Sequence, residues 1–126
     1  MDINKIKNII LKADRKHAVK FIILFGSVAQ GTHTPLSDID IAVYYQGTSQ
    51  ERFDFRIKVA LPDKVDLQVF QDLPLAVQKE VIAGKVVYYQ NFQFIFDQFM
   101  RVIKDYGFFE KYYEEYLSSL RKGAEA

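Results

Sequence analysis

Cysteine is absent from the 126 residues, and so is tryptophan. With no thiol the chain forms no disulfide, no thiolate metal site and no cysteine nucleophile, a composition suited to a reducing compartment. An excess of either charge is also lacking, since 17 Lys and Arg stand against 16 Asp and Glu for a net of +1. Proteins that grip nucleic acid by bulk electrostatics carry a basic surplus, so direct nucleic-acid binding is not expected. No apolar run approaches the ~20 residues that span a bilayer. The opening Met1-Asp2-Ile3-Asn4-Lys5 lacks the long apolar core of a signal peptide. These absences predict a cytoplasmic protein that engages no membrane.

Apolar residues make up 49% of the chain, which excludes long disorder, and the length suits a single domain over residues 1–126. There is no internal repeat, low-complexity tract or linker. Eleven Phe and eight Tyr are many for this size, and they crowd the last third. Such an aromatic surplus exceeds what one small core can hide.

Periodicity gives the elements. Ile3, Ile6, Ile9, Ile10 and Ala13 recur at helical spacing, predicting a helix over 3–16 with Asp2 as its N-cap. Residues 19–25 are nearly all apolar and end at Gly26, as a buried strand does. Residues 27–30 suit a short helical turn and 31–37 a loop. A second strand is expected over 38–44 and a helix from Thr48 or Ser49 to about Ala60, with Phe53, Ile57 and Ala60 on one stripe. Val65, Leu67 and Val69 alternate with Asp66 and Gln68 in a third strand over 64–70. Pro74 opens another helix that Gly84 closes, and a fourth strand covers 86–89. Two helical pieces follow, over 92–106 and 108–122, with Gly107 between them and a frayed tail from Gly123. The expected class is α/β (α+β): a small mixed sheet flanked by helices. Because Asp38 follows Gly26 so closely, the first two strands should be antiparallel neighbours.

Chemistry concentrates between Gly26 and Asp40. Gly26 has no Cβ, so a phosphate can approach its backbone, and Ser27 adds a hydroxyl at a turn whose free N–H groups favour anions. Asp38 and Asp40, two apart on a strand, leave the same face with Cα atoms ~7 Å apart. Carboxylates so placed can converge on two Mg²⁺ ions, and a donor set of oxygen without sulfur selects Mg²⁺ or Mn²⁺. Asp66 sits mid-strand among apolar neighbours, where a charge is costly unless paired or metal-bound. Beside the Asp38 strand it would serve as third metal ligand and general base.

Singly, each piece has a plainer explanation: a common turn, a solvated strand edge, an edge-strand charge that discourages aggregation. Their spacing in one chain favours a site. A P-loop is excluded, because Thr32 stands where the phosphate-binding lysine must follow Gly31, and the loop leads to a strand. His17 and His33 have no second His or Cys at metal spacing and suit surface positions. Tyr88 and Tyr89 suit strand-end packing.

Gly26-Ser27, ten residues, Asp38-Ile39-Asp40 and then Asp66 resembles the signature of the DNA polymerase beta-type nucleotidyltransferase superfamily. The small size, the wording Ser37-Asp38-Ile39-Asp40-Ile41 and the ending Phe109-Glu110-Lys111-Tyr112-Tyr113 are most similar to the minimal nucleotidyltransferase antitoxins paired with HEPN-domain ribonuclease toxins. The resemblance implies the polymerase beta-type fold with a C-terminal helical segment. It also implies an enzyme that uses ATP and two Mg²⁺ ions to transfer AMP to a toxin tyrosine, silencing the toxin within a hetero-oligomer. By position, Gly26 and Ser27 would hold the triphosphate, Asp38 and Asp40 both metals, and Asp66 the catalytic metal and the acceptor proton. One departure is visible: Val28 and Gln30 stand where the family often has arginine, so this loop offers no arginine to phosphate. Lys85 is a candidate replacement cation or a solvated helix-end residue.

Residues 91–122 hold more aromatics than a single buried stripe needs, which suits partner binding by part of this segment. Two further readings stand beside the adenylyltransferase. One is a steric antitoxin that binds without chemistry. The other is a small-molecule nucleotidyltransferase of the antibiotic-modifying kind, for which the chain leaves little room. Template-directed polymerisation fits least, given the neutral charge and lack of a second domain.

Overall fold

The computed structural model describes residues 2–26, 31 and 38–125. Its elements are α1 (Ile3–Ala13), β1 (Val19–Phe25), β2 (Ile39–Tyr45), α2 (Ser49–Lys58), β3 (Val65–Val69), a 3₁₀ turn (Phe70–Asp72), α3 (Leu75–Ile82), β4 (Lys85–Tyr89) and α4 (Phe92–Glu125). The four strands make one mixed sheet in the order β3-β2-β1-β4. β1 is antiparallel to both β2 and β4, as the short β1–β2 connection requires, whereas the α2 crossover brings β3 in parallel to β2.

Alternation along the central strands divides the core into two layers. On one face Ile22, Leu24, Ile41 and Val43 pack with Ile6 and Ile10 of α1 and Phe55 and Val59 at the end of α2. On the other, Phe21, Ile23, Phe25 and Ala42 meet Val81 of α3 and Ile95 and Val102 of α4. β1 is covered on both sides, which explains its unbroken apolar run. Asp2 caps α1 as expected, accepting from the Asn4 N–H. At the other end of α1 the buried Asp14 carboxylate accepts from the N–H groups of Ala18 and Val19 at 2.9 and 2.8 Å, pinning helix to strand. Between them His17 is exposed and adopts φ 52°.

Two expectations are corrected. The stripe of α2 that meets the core is Phe55 with Val59, while Phe53 and Ile57 are exposed. Both pairs have i,i+4 spacing. The Thr48–Glu51 capping box fixes where the helix starts, and Tyr45, stacked on Phe55 at 4.5 Å, selects the face. The C-terminal pieces are one helix of 34 residues, running unbroken through Gly107 and on to Glu125. A helical glycine costs only about 1 kcal/mol, too little to break a helix that is already formed on either side. α1 and α2 also stop two to three residues earlier than their periodicity suggests, within ordinary end effects. Among the described residues no helix is long and apolar enough to cross a membrane.

Candidate active site

Sheet register gathers the predicted acids at one end. Asp40 lies opposite Phe25 on β1, the residue before Gly26, and opposite Asp66 on β3. Paired positions of adjacent strands share a face, so Asp40 and Asp66 project together, with backbones about 4.8 Å apart. Their face is that of Phe25 and Ala42, toward α3. Asp38 is exposed just before β2. Ser27 and His33 lie outside the described residues, as does the expected turn over 27–30.

Gly26 meets two separate demands. Its φ is +77°, in the left-handed region that favours glycine, and a Cβ built there would lie 2.4 Å from Asp40 Oδ2. The turn therefore seats the Asp40 carboxylate directly against its backbone. Gly84 has a comparable role below the site. A Cβ there would come within 2.3 Å of the Leu24 carbonyl oxygen, so the bare backbone lets the end of α3 abut the end of β1.

The electrostatics are those of crowded negative charge. Burial, then the charges of Asp66, Asp38 and Glu80, raise the Asp40 pKa above the usual carboxylate value. Glu80, an exposed residue of α3, escaped the sequence reading because nothing in its spacing ties it to an aspartate forty residues earlier; the packing of α3 against β1 brings it near. Asp66 is exposed, and both its oxygens accept from the Gln68 side-chain amide at 3.0 and 2.9 Å.

Among the described residues no three acidic or imidazole side chains already converge tightly enough to grasp a metal ion. Orientation accounts for this more than placement, because the Asp66 carboxylate is turned toward Gln68 while strand register sets it beside Asp40. An all-oxygen donor set with one carboxylate held against its own charge suits a hard divalent cation. Lys85 opens β4 opposite Leu24, on the sheet face away from Asp40. It is exposed just past the end of α3, solvated as expected, although it is the first residue of β4 and not part of the helix.

Residues 4–93, which include all four strands of the sheet, match the model of the polymerase beta nucleotidyltransferase domain. The chain belongs to that family. A Methanocaldococcus jannaschii protein whose role, by name, is protein adenylyltransferase is 35% identical over 68 residues, which are 53% of either chain. The matched segment thus spans about half the length of that relative. Among solved structures, a chain of a toxin–antitoxin complex crystallised with AMP-PNP superposes with a TM-score of 0.70 at 26% identity, covering 90% of this chain and 97% of that one. A chain from the complex of a tri-AMPylated Shewanella oneidensis HEPN toxin with its MNT antitoxin shares the fold, with a TM-score of 0.64 at 22% identity and 93% coverage of each. The small mixed sheet with flanking helices and a C-terminal helix seen in this chain is the architecture expected from the sequence.

Proposed function

We propose that this nucleotidyltransferase-family protein is an antitoxin that transfers AMP from ATP to a tyrosine hydroxyl of a HEPN-domain toxin and so silences it. The observation that carries this reading is the register pairing of Asp40 with Asp66, next to a Gly26 whose missing Cβ makes room for the Asp40 carboxylate. The adenylyltransferase name of the archaeal relative and the AMP-PNP in a similar toxin–antitoxin complex support ATP as donor and a protein as acceptor.

Asp38, Asp40 and Asp66 would hold two Mg²⁺ ions, with Mn²⁺ an acceptable substitute. Bound there, divalent ions supply positive charge against the triphosphate and the transition state. Gly26 and Ser27 would hold the triphosphate, a glycine offering close backbone approach and a serine a hydroxyl. Asp66, exposed at the strand edge, takes the proton from the tyrosine hydroxyl. The tyrosine oxygen bonds to the α-phosphorus, the bond from that phosphorus to the bridging oxygen breaks, and pyrophosphate leaves. Alignment of acceptor and donor supplies the remainder of the rate, since little of this chemistry is covalent to the protein.

Incubating α-labelled ATP with the toxin and either wild type or Asp38→Asn tests the assignment. A loss of about 4 kcal/mol of transition-state stabilisation lowers the labelling rate roughly a thousandfold. Equal labelling by both proteins refutes it. The exposed aromatics of α4 favour one second reading, a steric antitoxin. Protection of cells by an Asp38→Asn/Asp40→Asn variant at ordinary expression would establish that reading instead.

A further inference from the structure

Asp66 and Gln68 are the polar residues of β3, and both stand on the face that carries Asp40. Their side chains meet. The Gln68 Nε2 lies 3.0 Å from one Asp66 carboxylate oxygen and 2.9 Å from the other. A donor nearly equidistant from two oxygens lies on the plane that bisects the carboxylate. Hydrogen bonds to such oxygens run near the carboxylate plane, so the amide sits between the two inner lone pairs. A cation chelated by both oxygens of one carboxylate needs that same position. The amide therefore closes the inner lone pairs and leaves the outer one of each oxygen open.

The backbone between the pair is anchored on two sides. Leu67 is buried in the core layer beneath α1 and α2, and its carbonyl accepts from Arg56 Nε of α2 at 2.9 Å. Across the ladder Gln68 faces Ala42, whose single methyl takes little space on that face. Gln68 is half-buried and Asp66 exposed, so the amide is the better-held member of the pair.

Two demands fall on Asp66 in the proposed transfer, contact with a divalent cation and acceptance of the tyrosine proton. A carboxylate that chelates a cation through both oxygens has engaged the lone pairs that a proton would use. One restricted to its outer lone pairs meets both demands at once, one oxygen for each. We propose that Gln68 is a positioning residue of this site, whose amide keeps Asp66 from chelating a cation and so reserves one oxygen for the proton. The proposal rests on the adenylyltransferase reading for that proton, and on the hydrogen-bond geometry for the amide. Gln68 acts through Asp66 and takes no part in the transfer itself.

The test replaces Gln68 by Met and, separately, by Leu, side chains of similar volume that lack the donor. Each full chain is measured for Mn²⁺ affinity with AMP-PNP present, by electron paramagnetic resonance, and for kcat and KM of toxin in AMP transfer. With the amide gone, Mn²⁺ should bind at least about threefold more tightly, while kcat falls about tenfold and the toxin KM stays within about twofold. In an Asp66→Asn background the same replacements should leave Mn²⁺ affinity unchanged, because no carboxylate remains for the amide to hold. A merely structural role would weaken Mn²⁺ binding, and would do so in both backgrounds. Unchanged or weaker Mn²⁺ binding in either variant overturns the proposal, as does a wild-type kcat. Failure of the wild type to label toxin overturns the adenylyltransferase reading alone, and the Mn²⁺ titrations then decide the role of the amide.

Discussion

Replacing Gly26 by alanine tests the idea that the turn positions a carboxylate as well as a phosphate. Two costs can be separated. The first is conformational: an L-residue at φ +77° sits in the left-handed region, at about 1–2 kcal/mol. For a domain of this size that lowers Tm by roughly 3–10 °C and leaves the fold intact at room temperature. The second is local. The new Cβ would lie 2.4 Å from Asp40 Oδ2, whereas ordinary contact begins at 3.4 Å, so the carboxylate must retreat by 3.4 − 2.4 = 1.0 Å. A displacement of ~1 Å in a reacting constellation slows chemistry about a hundredfold, equivalent to about 2.7 kcal/mol. Single-turnover labelling of toxin with α-labelled ATP, at saturating toxin and well below the variant's Tm, isolates that step. The expected result is a hundredfold slower transfer by a folded protein. A folded variant within threefold of wild type would show that Asp40 does not depend on this contact, and the argument from Gly26 would fall.

Other perturbations have equally definite outcomes. Because Asp40 has a raised folded pKa, its ionised form is held against burial and three negative neighbours. The stability associated with its protonated form is complete below the unfolded value near 3.9 and is lost as pH rises through the folded value. Asp40→Asn should therefore raise Tm in EDTA at pH 7, and the gain should shrink on acidification toward pH 3; a lower Tm at pH 7 would contradict the electrostatic account. Asp14→Ala removes two charge-assisted bonds to Ala18 and Val19 and leaves both buried N–H groups unpaired, so denaturant unfolding should show a loss of about 3 kcal/mol with nucleotide binding retained. Gly107→Ala meets no atom within 4 Å and should strengthen α4 by up to about 1 kcal/mol, seen as slower amide exchange around residue 107.

How far the sequence discloses this molecule depends on whether the cause of a feature is local. The alternation of Val65, Leu67 and Val69 can be seen directly, and it forces Asp66 to the opposite face; the shortness of the Gly26–Asp38 connection forces β1 and β2 to be antiparallel. Together those two facts place Asp66 near Asp40 once β3 is taken as the neighbour of β2. Glu80 was not legible, because its approach to Asp40 depends on Gly84 letting α3 rest on Leu24, a contact between elements sixty residues apart. The exposed Phe53 and Ile57 mislead for a related reason: two apolar pairs at equal spacing compete for one face, and only the Tyr45 ring decides between them. Gly107 misleads differently, since its cost is small beside the cooperativity of a helix already nucleated on either side. That continuity has a functional consequence. Broken at Gly107, the aromatic half could fold back over the body and hide its own rings. Unbroken, it holds Phe109 and Tyr113 away from the body, with both rings more than half exposed.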